Sequence, residues 1–189
     1  MRGQKNIKNG AKIIIIKIMQ YISGETVPLF GEKYTLQVRD SKTVNTVRVE
    51  GDIIILTCNT SYPWATKKRI MDWFYRNQLA GYLNEAFPKW QEKMQAYYVR
   101  LSLRDMKTRW GSCTPKTRAI RLNIQLATRS KEQIDYVIVH ELAHLQEANH
   151  SAAFWAIVEQ YIPHCKVVRH QLKYGTEYGT DEGTDNTNS

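Results

Sequence analysis

Apolar and polar side chains alternate through the early part of the chain, over 34–39 (YTLQVR) and again over 46–50 (TVRVE), and Gly51-Asp52 separates the second stretch from the apolar run 53–57. A period of two predicts strands, and Gly-Asp between two such runs predicts a hairpin, so this region is expected to form a small antiparallel sheet. From Pro63 the period changes. Ile70, Trp73, Phe74, Leu79 and Leu83 recur at helical spacing until Pro88, and the pattern resumes over 90–94, which predicts one long helix broken or kinked near the proline. Alternation returns over 98–104 (YVRLSLR) and 119–126 (AIRLNIQL), with Gly111 and the Thr114-Pro115 turn signal between them. We read these as a β-hairpin. Ser130 with Gln133 forms a capping box that opens a helix with apolar positions Ile134, Val137, Ile138, Leu142 and Leu145. Ser151 is a second N-cap, ahead of Phe154, Trp155, Ile157, Val158, Tyr161 and Ile162; Pro163 ends that run before a last short helix over 167–174. Strands first and helices later predict an α+β fold: N-terminal antiparallel sheet, long helix, hairpin, active-site helix and C-terminal helices.

At 189 residues, with 42% hydrophobic and 11% aromatic side chains, the chain is sized and composed for one packed core. Three segments are expected: a basic extension over 1–23, a domain over 24–174 (mainly β to residue 62, helical with a strand pair after it), and a disordered tail over 175–189. The tail carries Glu177, Asp181, Glu182 and Asp185 and no Lys or Arg, so the body is more basic than the net +9 of the whole. Such a field attracts polyanions, including nucleic acid and nucleotides, although a solvated basic surface accounts for the charge equally well. The longest apolar run, 152–158, falls short of the roughly 20 residues that span a bilayer, and Lys17 cuts the apolar stretch 13–16 before it reaches signal-peptide length. A cytoplasmic protein with no membrane partner is expected. The three cysteines, Cys58, Cys113 and Cys165, contain no C-x-x-C pair and are expected to be reduced.

Three of the five histidines, His140, His144 and His150, fall within HELAHLQEANH at 140–150. Residues four apart on a helix differ by about 40° in direction and about 6 Å in height, so His140 and His144 project from one face and can share one ion. Glu141, about 100° round from His140, stands where a base acting on activated water belongs. This is the H-E-x-x-H arrangement of zinc hydrolases. A third ligand is needed, and on a straight helix His150 would lie about 15 Å beyond His140. The chain must therefore turn back, and Asn149, tolerant of the left-handed conformation, followed by the cap Ser151, suits a reversal there. Glu159 on the next helix is the competing third ligand. His164 and His170 lack any such spacing and are expected to play no part in metal binding.

The stretch from Met106 to Trp155, with R-W-G-S-C at 109–113, H-E-L-A-H at 140–144, N-H-S at 149–151 and F-W at 154–155, resembles the YgjP-like metallopeptidase family, related to the SprT-like and other zincin proteases. The resemblance extends over about 24–174 and omits the lysine-rich start and the acidic tail. It implies that His140, His144 and His150 are zinc ligands and Glu141 the catalytic glutamate. It further implies a structural or substrate-positioning role for 109–113, with Arg109, Trp110 and Ser112 as substrate-binding candidates. Metzincins place a glycine three residues after the second His, where this chain has Glu147, so their turn geometry is not expected.

The leading expectation is a zinc-dependent peptidase, with zinc acidifying a water and Glu141 taking its proton. Strand 119–126 is expected to offer an edge to an extended peptide substrate. Tyr136, Tyr161, Arg109 and His164 are equal candidates for stabilising the transition state. One alternative keeps the metal and makes the substrate a nucleoside triphosphate (UTP-type pyrophosphatase). Family members have been associated with that activity, and Arg100, Arg104, Lys107, Arg109, Lys116, Arg118 and Arg121 could cradle phosphates, or simply protect a sheet edge. A third reading is a nucleic-acid-associated protein or protease; with structural zinc it would need Cys113 or Cys165 to close the metal shell. Three imidazoles also accept Mn, Fe, Co or Ni, and the oligomeric state is not legible.

Overall fold

A computed structural model describes residues 19–174; most of the proposed basic extension and the whole acidic tail lie outside the described residues. Two small sheets and four helices give an α+β fold, as expected. The first sheet contains β1 (Thr26–Leu29), β2 (Glu32–Asp40), β3 (Thr46–Glu50) and β4 (Ile53–Cys58), in the order β1-β2-β4-β3. The hairpin at Gly51-Asp52 is present, pairing β3 with β4 antiparallel. β1 is an addition, a four-residue strand that buries Val27 and Leu29. It reaches β2 through Phe30 and Gly31, both at positive φ, as a tight two-residue hairpin requires. The central pair departs from the expected antiparallel arrangement, because β2 and β4 run parallel. β4 is buried at Ile54, Ile55 and Leu56, and such a continuous apolar run suits a strand covered on both faces rather than a half-wet one.

The long helix, α1 (Trp64–Met94), continues through Pro88 without a break and ends at Gln95, whose backbone is left-handed (φ 51°). Met71, Phe74, Tyr75, Leu79, Leu83, Phe87, Trp90 and Met94 form its buried stripe, which places Trp73 outside, 59% exposed, contrary to its expected core position. Phe74 and Tyr75 share the buried face, and Trp73 lies about 100° from Phe74 on the side away from Tyr75, which turns it outward.

The second sheet differs from the expected hairpin of 98–104 with 119–126. It has three strands, β5 (Arg100–Arg104), β6 (Gly111–Thr114) and β7 (Ala119–Asn123), in the order β5-β7-β6. β5 and β7 pair parallel, while the hairpin joins β6 to β7 through a 3-10 turn at Pro115–Thr117 and Arg118 at φ 49°. β7 is therefore the central strand and has no free edge; β5 and β6 are the two edge strands, and β6 carries the G-S-C of the motif. β7 stops at Asn123 because the Asn123 side chain accepts from the Gln125 N–H and opens a 3-10 segment, Ile124–Thr128. Ser130 and Gln133 then form both bonds of the predicted capping box at the start of α2 (Lys131–Ala143). α3 (Ala152–Tyr161) is capped by Ser151, and α4 (Cys165–Tyr174) closes the fold over α2. Among the described residues no helix is long and apolar enough to cross a membrane.

Candidate metal centre and active site

α2 is buried on several sides, with Ile134, Val137, Ile138, Val139, Leu142 and Ala143 in the core, so the functional residues at its C-terminal end have little freedom. His140 lies in the last turn of the helix and His144 at its C-cap. Beyond His144 the backbone tightens through Leu145 N–H to Leu142 C=O (3.0 Å) and Gln146 N–H to Ala143 C=O (2.9 Å). The reversal does not use Asn149 in the left-handed region: among the described residues, those other than glycine at positive φ are Tyr21, Phe30, Gln95 and Arg118. Tightened turns do the work instead, and they return His150 to the helix so that its Nε2 lies 3.1 Å from Nε2 of His140.

The three histidines form one cluster whose candidate ligand atoms all lie within 4.8 Å of one another. Ligands about 2.0–2.1 Å from a tetrahedral ion stand about 3.3–3.4 Å apart, so the separation between His150 and His140 suits a shared cation. Phe154, fully buried, underlies all three rings, with centroid distances of 4.9, 4.5 and 4.7 Å to His140, His144 and His150. Trp155 stacks on His150 at 22° between planes. His144 Nδ1 stands 3.4 Å from the Glu147 carbonyl, which favours the tautomer that leaves Nε2 free. His140 is pushed down to about 3 by burial first, then by His144, His150 and Arg169, so its ring is neutral, the form that ligates metal. The site thus fits a divalent ion in two respects: its donors converge, and beside them the buried Glu141 Oε2 has no hydrogen-bond partner.

Glu141 is 3% exposed, and burial raises its carboxyl to about 8, against the opposing charge of Arg109. Its Oε1 packs against the backbone of Gly111; a Cβ built there would stand only 2.3 Å from that oxygen. The glycine of R-W-G-S-C is therefore the space in which the carboxylate lies. The loop ahead of it is tied down by Asn123, buried in the sheet, which donates to the carbonyls of Met106 (2.8 Å) and Arg109 (3.0 Å) while its N–H bonds the Trp110 carbonyl (2.9 Å). Arg109, Ser112 and Cys113 line a concavity with the three histidines and Glu141. On its other side, His140, Glu141, Arg109 and Trp110 border a hollow of about 800 Å³ shared with Tyr136.

Several sequence expectations fall away from this site. Glu159, the rival ligand, pairs with Lys166 at 3.4 Å and lies outside the cluster. His164 is exposed and bonds Glu132 at 2.6 Å. Of the four candidates for transition-state stabilisation, Tyr136 and Arg109 line the hollow; Tyr161 and His164 do not. Neither Cys113 nor Cys165 joins the histidines to close a structural shell, and all three cysteines are free. The basic residues proposed as a phosphate cradle are scattered: only Lys107 and Arg109 line the hollow, and Arg118 Nε donates to the Tyr97 carbonyl at 2.6 Å. Sequence reasoning passed over the structural duties of Asn123, Gly111 and Phe154. The cap Ser151 was a signal for the last, because it sets the register that turns residue 154 inward.

The model of the YgjP-like metallopeptidase domain matches residues 5–174. The chain belongs to the YgjP-like metallopeptidase family. The match begins within the lysine-rich stretch set apart above as an extension and ends where α4 ends. Among solved structures, the metallopeptidase zymogen abylysin of Pyrococcus abyssi is similar at 23% identity, covering 49% of this chain and 94% of that one, with a TM-score of 0.44. The zymogen jannalysin of Methanocaldococcus jannaschii is similar at 21%, covering 48% and 93%, also at 0.44. Comparison with curated proteins returns no match.

Proposed function

We propose that this member of the metallopeptidase family cleaves peptide bonds with one divalent ion, zinc by the nature of the donors, held by His140, His144 and His150, and with Glu141 as the base. The observation that carries this reading is the convergence of three imidazoles beside a buried carboxylate whose Oε2 has no partner. An ion bound there supplies Lewis acidity, polarising a carbonyl oxygen and acidifying water. Glu141, pressed against Gly111, takes the proton of the attacking water and returns it to the leaving amine. Arg109 and Tyr136 border the same space and are two groups able to meet developing negative charge. An extended substrate would pair with the edge strand β6, passing the histidines with Arg109, Trp110 and Ser112 beside it. The free thiols suit a reducing, cytoplasmic setting.

The test separates base from ligand. Glu141→Gln is expected to keep about one metal per chain, by elemental analysis of the purified protein, and to lose peptide hydrolysis by about 10²-fold or more. His144→Ala is expected to lose both. Full turnover in Glu141→Gln would overturn the base assignment, and full metal content in His144→Ala the ligand set. Elemental analysis of native protein identifies the ion.

A further inference from the structure

The hollow beside His140 and Glu141 has a marked charge asymmetry. Lys107, Arg109, Arg129, Arg169 and Lys173 line it, drawn from the loop before β6, the end of the 3-10 segment and α4, while Glu141 is its one carboxylate. Among the described residues none of these five cations forms an ion pair. Arg129 is the most demanding. It is half-buried, its guanidinium lies 4.8 Å from the centroid of the Trp110 ring, and its buried Nε has no acceptor. A desolvated cation with an orphan donor is costly unless something supplies the acceptor. Arg169 is held in a similar way, 5.0 Å from the centroid of the Trp155 ring that stacks on His150. Both guanidiniums thus lie over aromatic rings, and a guanidinium so placed can bind a carboxylate in fork-like fashion.

We infer that the hollow selects substrates with acidic side chains next to the bond to be cut, Arg129 and Arg169 receiving their carboxylates. This deepens the peptidase reading above and rests on it. A peptide pairing with β6 sends alternate side chains to one side of the strand, and the hollow opens beside that strand at the reacting centre. The cations come from three separate segments of the chain, and the test separates a peptide's carboxylates from a triphosphate as the anions they receive. Lys107 and Arg109 supply a general positive field; Arg129 and Arg169 offer an anion the terminal nitrogens of their guanidiniums.

The test has one arm without catalysis and one with it. In chelator, fluorescence anisotropy compares the full chain's affinity for a labelled Glu-containing peptide with that for the same peptide carrying Gln. At least tenfold tighter binding of the acidic peptide is expected, weakening as salt rises, and a drop below threefold in the Arg129→Gln/Arg169→Gln protein. Lys33→Gln/Lys42→Gln, which removes the same charge from β2 and the loop after it, should keep the preference. Equal binding of the two peptides, or an undiminished preference after the Arg129 and Arg169 changes, overturns the inference. In the second arm the metal-loaded enzyme cuts a mixed peptide library. Chelator-sensitive cleavage with no acidic preference beside the cut leaves the peptidase reading standing and sinks this one. Chelator-sensitive hydrolysis of nucleoside triphosphates without any peptide cleavage sinks both. Acidic preference in both arms, lost together on changing Arg129 and Arg169, is the outcome expected.

Discussion

Gly111 is where one missing methyl group decides whether the Glu141 carboxylate can occupy its position. The Glu141 side chain fills the space a Cβ would take, with Oε1, Cδ and Cγ at 2.3, 2.8 and 2.9 Å from it. That side chain is buried but borders the hollow, so relief of the clash displaces the carboxylate from its present place. Gly111→Ala is therefore expected to cost about 1–3 kcal/mol in stability by overpacking. Hydrolysis should fall by about 10²-fold, because about 1 Å of misplacement at a reacting centre has that effect. Calorimetry and kcat at saturating peptide check the two separately, and elemental analysis checks that the variant still holds its ion. A variant with wild-type kcat would show that Glu141 is not held by this contact. Legibility at this scale divides sharply. His140, Glu141 and His144 could be read because helix geometry alone sets their mutual placement. The reach of Gly111 to Glu141 could not, because it depends on β6 packing against α2 across a gap of thirty positions, and nothing local marks that pairing.

Elements that end in a local chemical signal were legible, and those defined by distant partners were not. The Ser130 capping box and the Ser151 cap lie where sequence places them, since each is satisfied within its own first turn. The parallel pairings β2–β4 and β5–β7 leave no local trace, for a strand's period of two is the same whichever direction its neighbour runs. β6 was missed as a strand because four residues, Gly-Ser-Cys-Thr, show no alternation of apolar and polar character. Pro88 is the opposite case, a strong local signal overridden by packing. It denies the helix one bond to the Asn84 carbonyl, yet Phe87 and Trp90 are buried on either side and hold α1 continuous. Pro88 itself is exposed, so replacing it removes no packing. Pro88→Ala should restore the missing donor and stabilise the protein by about 1–2 kcal/mol, after allowing for the greater freedom of the unfolded chain. Thermal melting checks it, and an unchanged or lower Tm would mean that α1 bends at Pro88 to fit the sheet and that the bend is needed.

At the scale of the molecule, the three histidines are distributed so that one ion would fasten the C-terminal helices to the rest. His140 and His144 belong to the end of α2, in the core; His150 lies beyond the reversal, one residue before the cap of α3. In the protein alone, that reversal is held by Phe154 beneath the rings and by short turns, while His150 itself is exposed. Closing the loop with a shared ion adds a link present only in the folded state, so binding and folding are coupled. At a free metal concentration about 100 times Kd this is worth about 2.7 kcal/mol. For a domain of this size it should raise Tm by about 5–10 °C. Stripping the protein with chelator should reverse the rise, and returning zinc should restore it. The location of the effect discriminates more than its size. The first sheet shares no ligand with the site and packs chiefly through its own strands and α1, so its amide protection should be nearly unchanged by chelator. Residues 145–161 should exchange faster, because their tether is gone while their helix is short. Hydrogen exchange with and without metal therefore reports on the ligand set independently of any substrate. Uniform loss of protection across both sheets would mean that the ion supports the whole fold, and no change over 145–161 would remove His150 from its coordination.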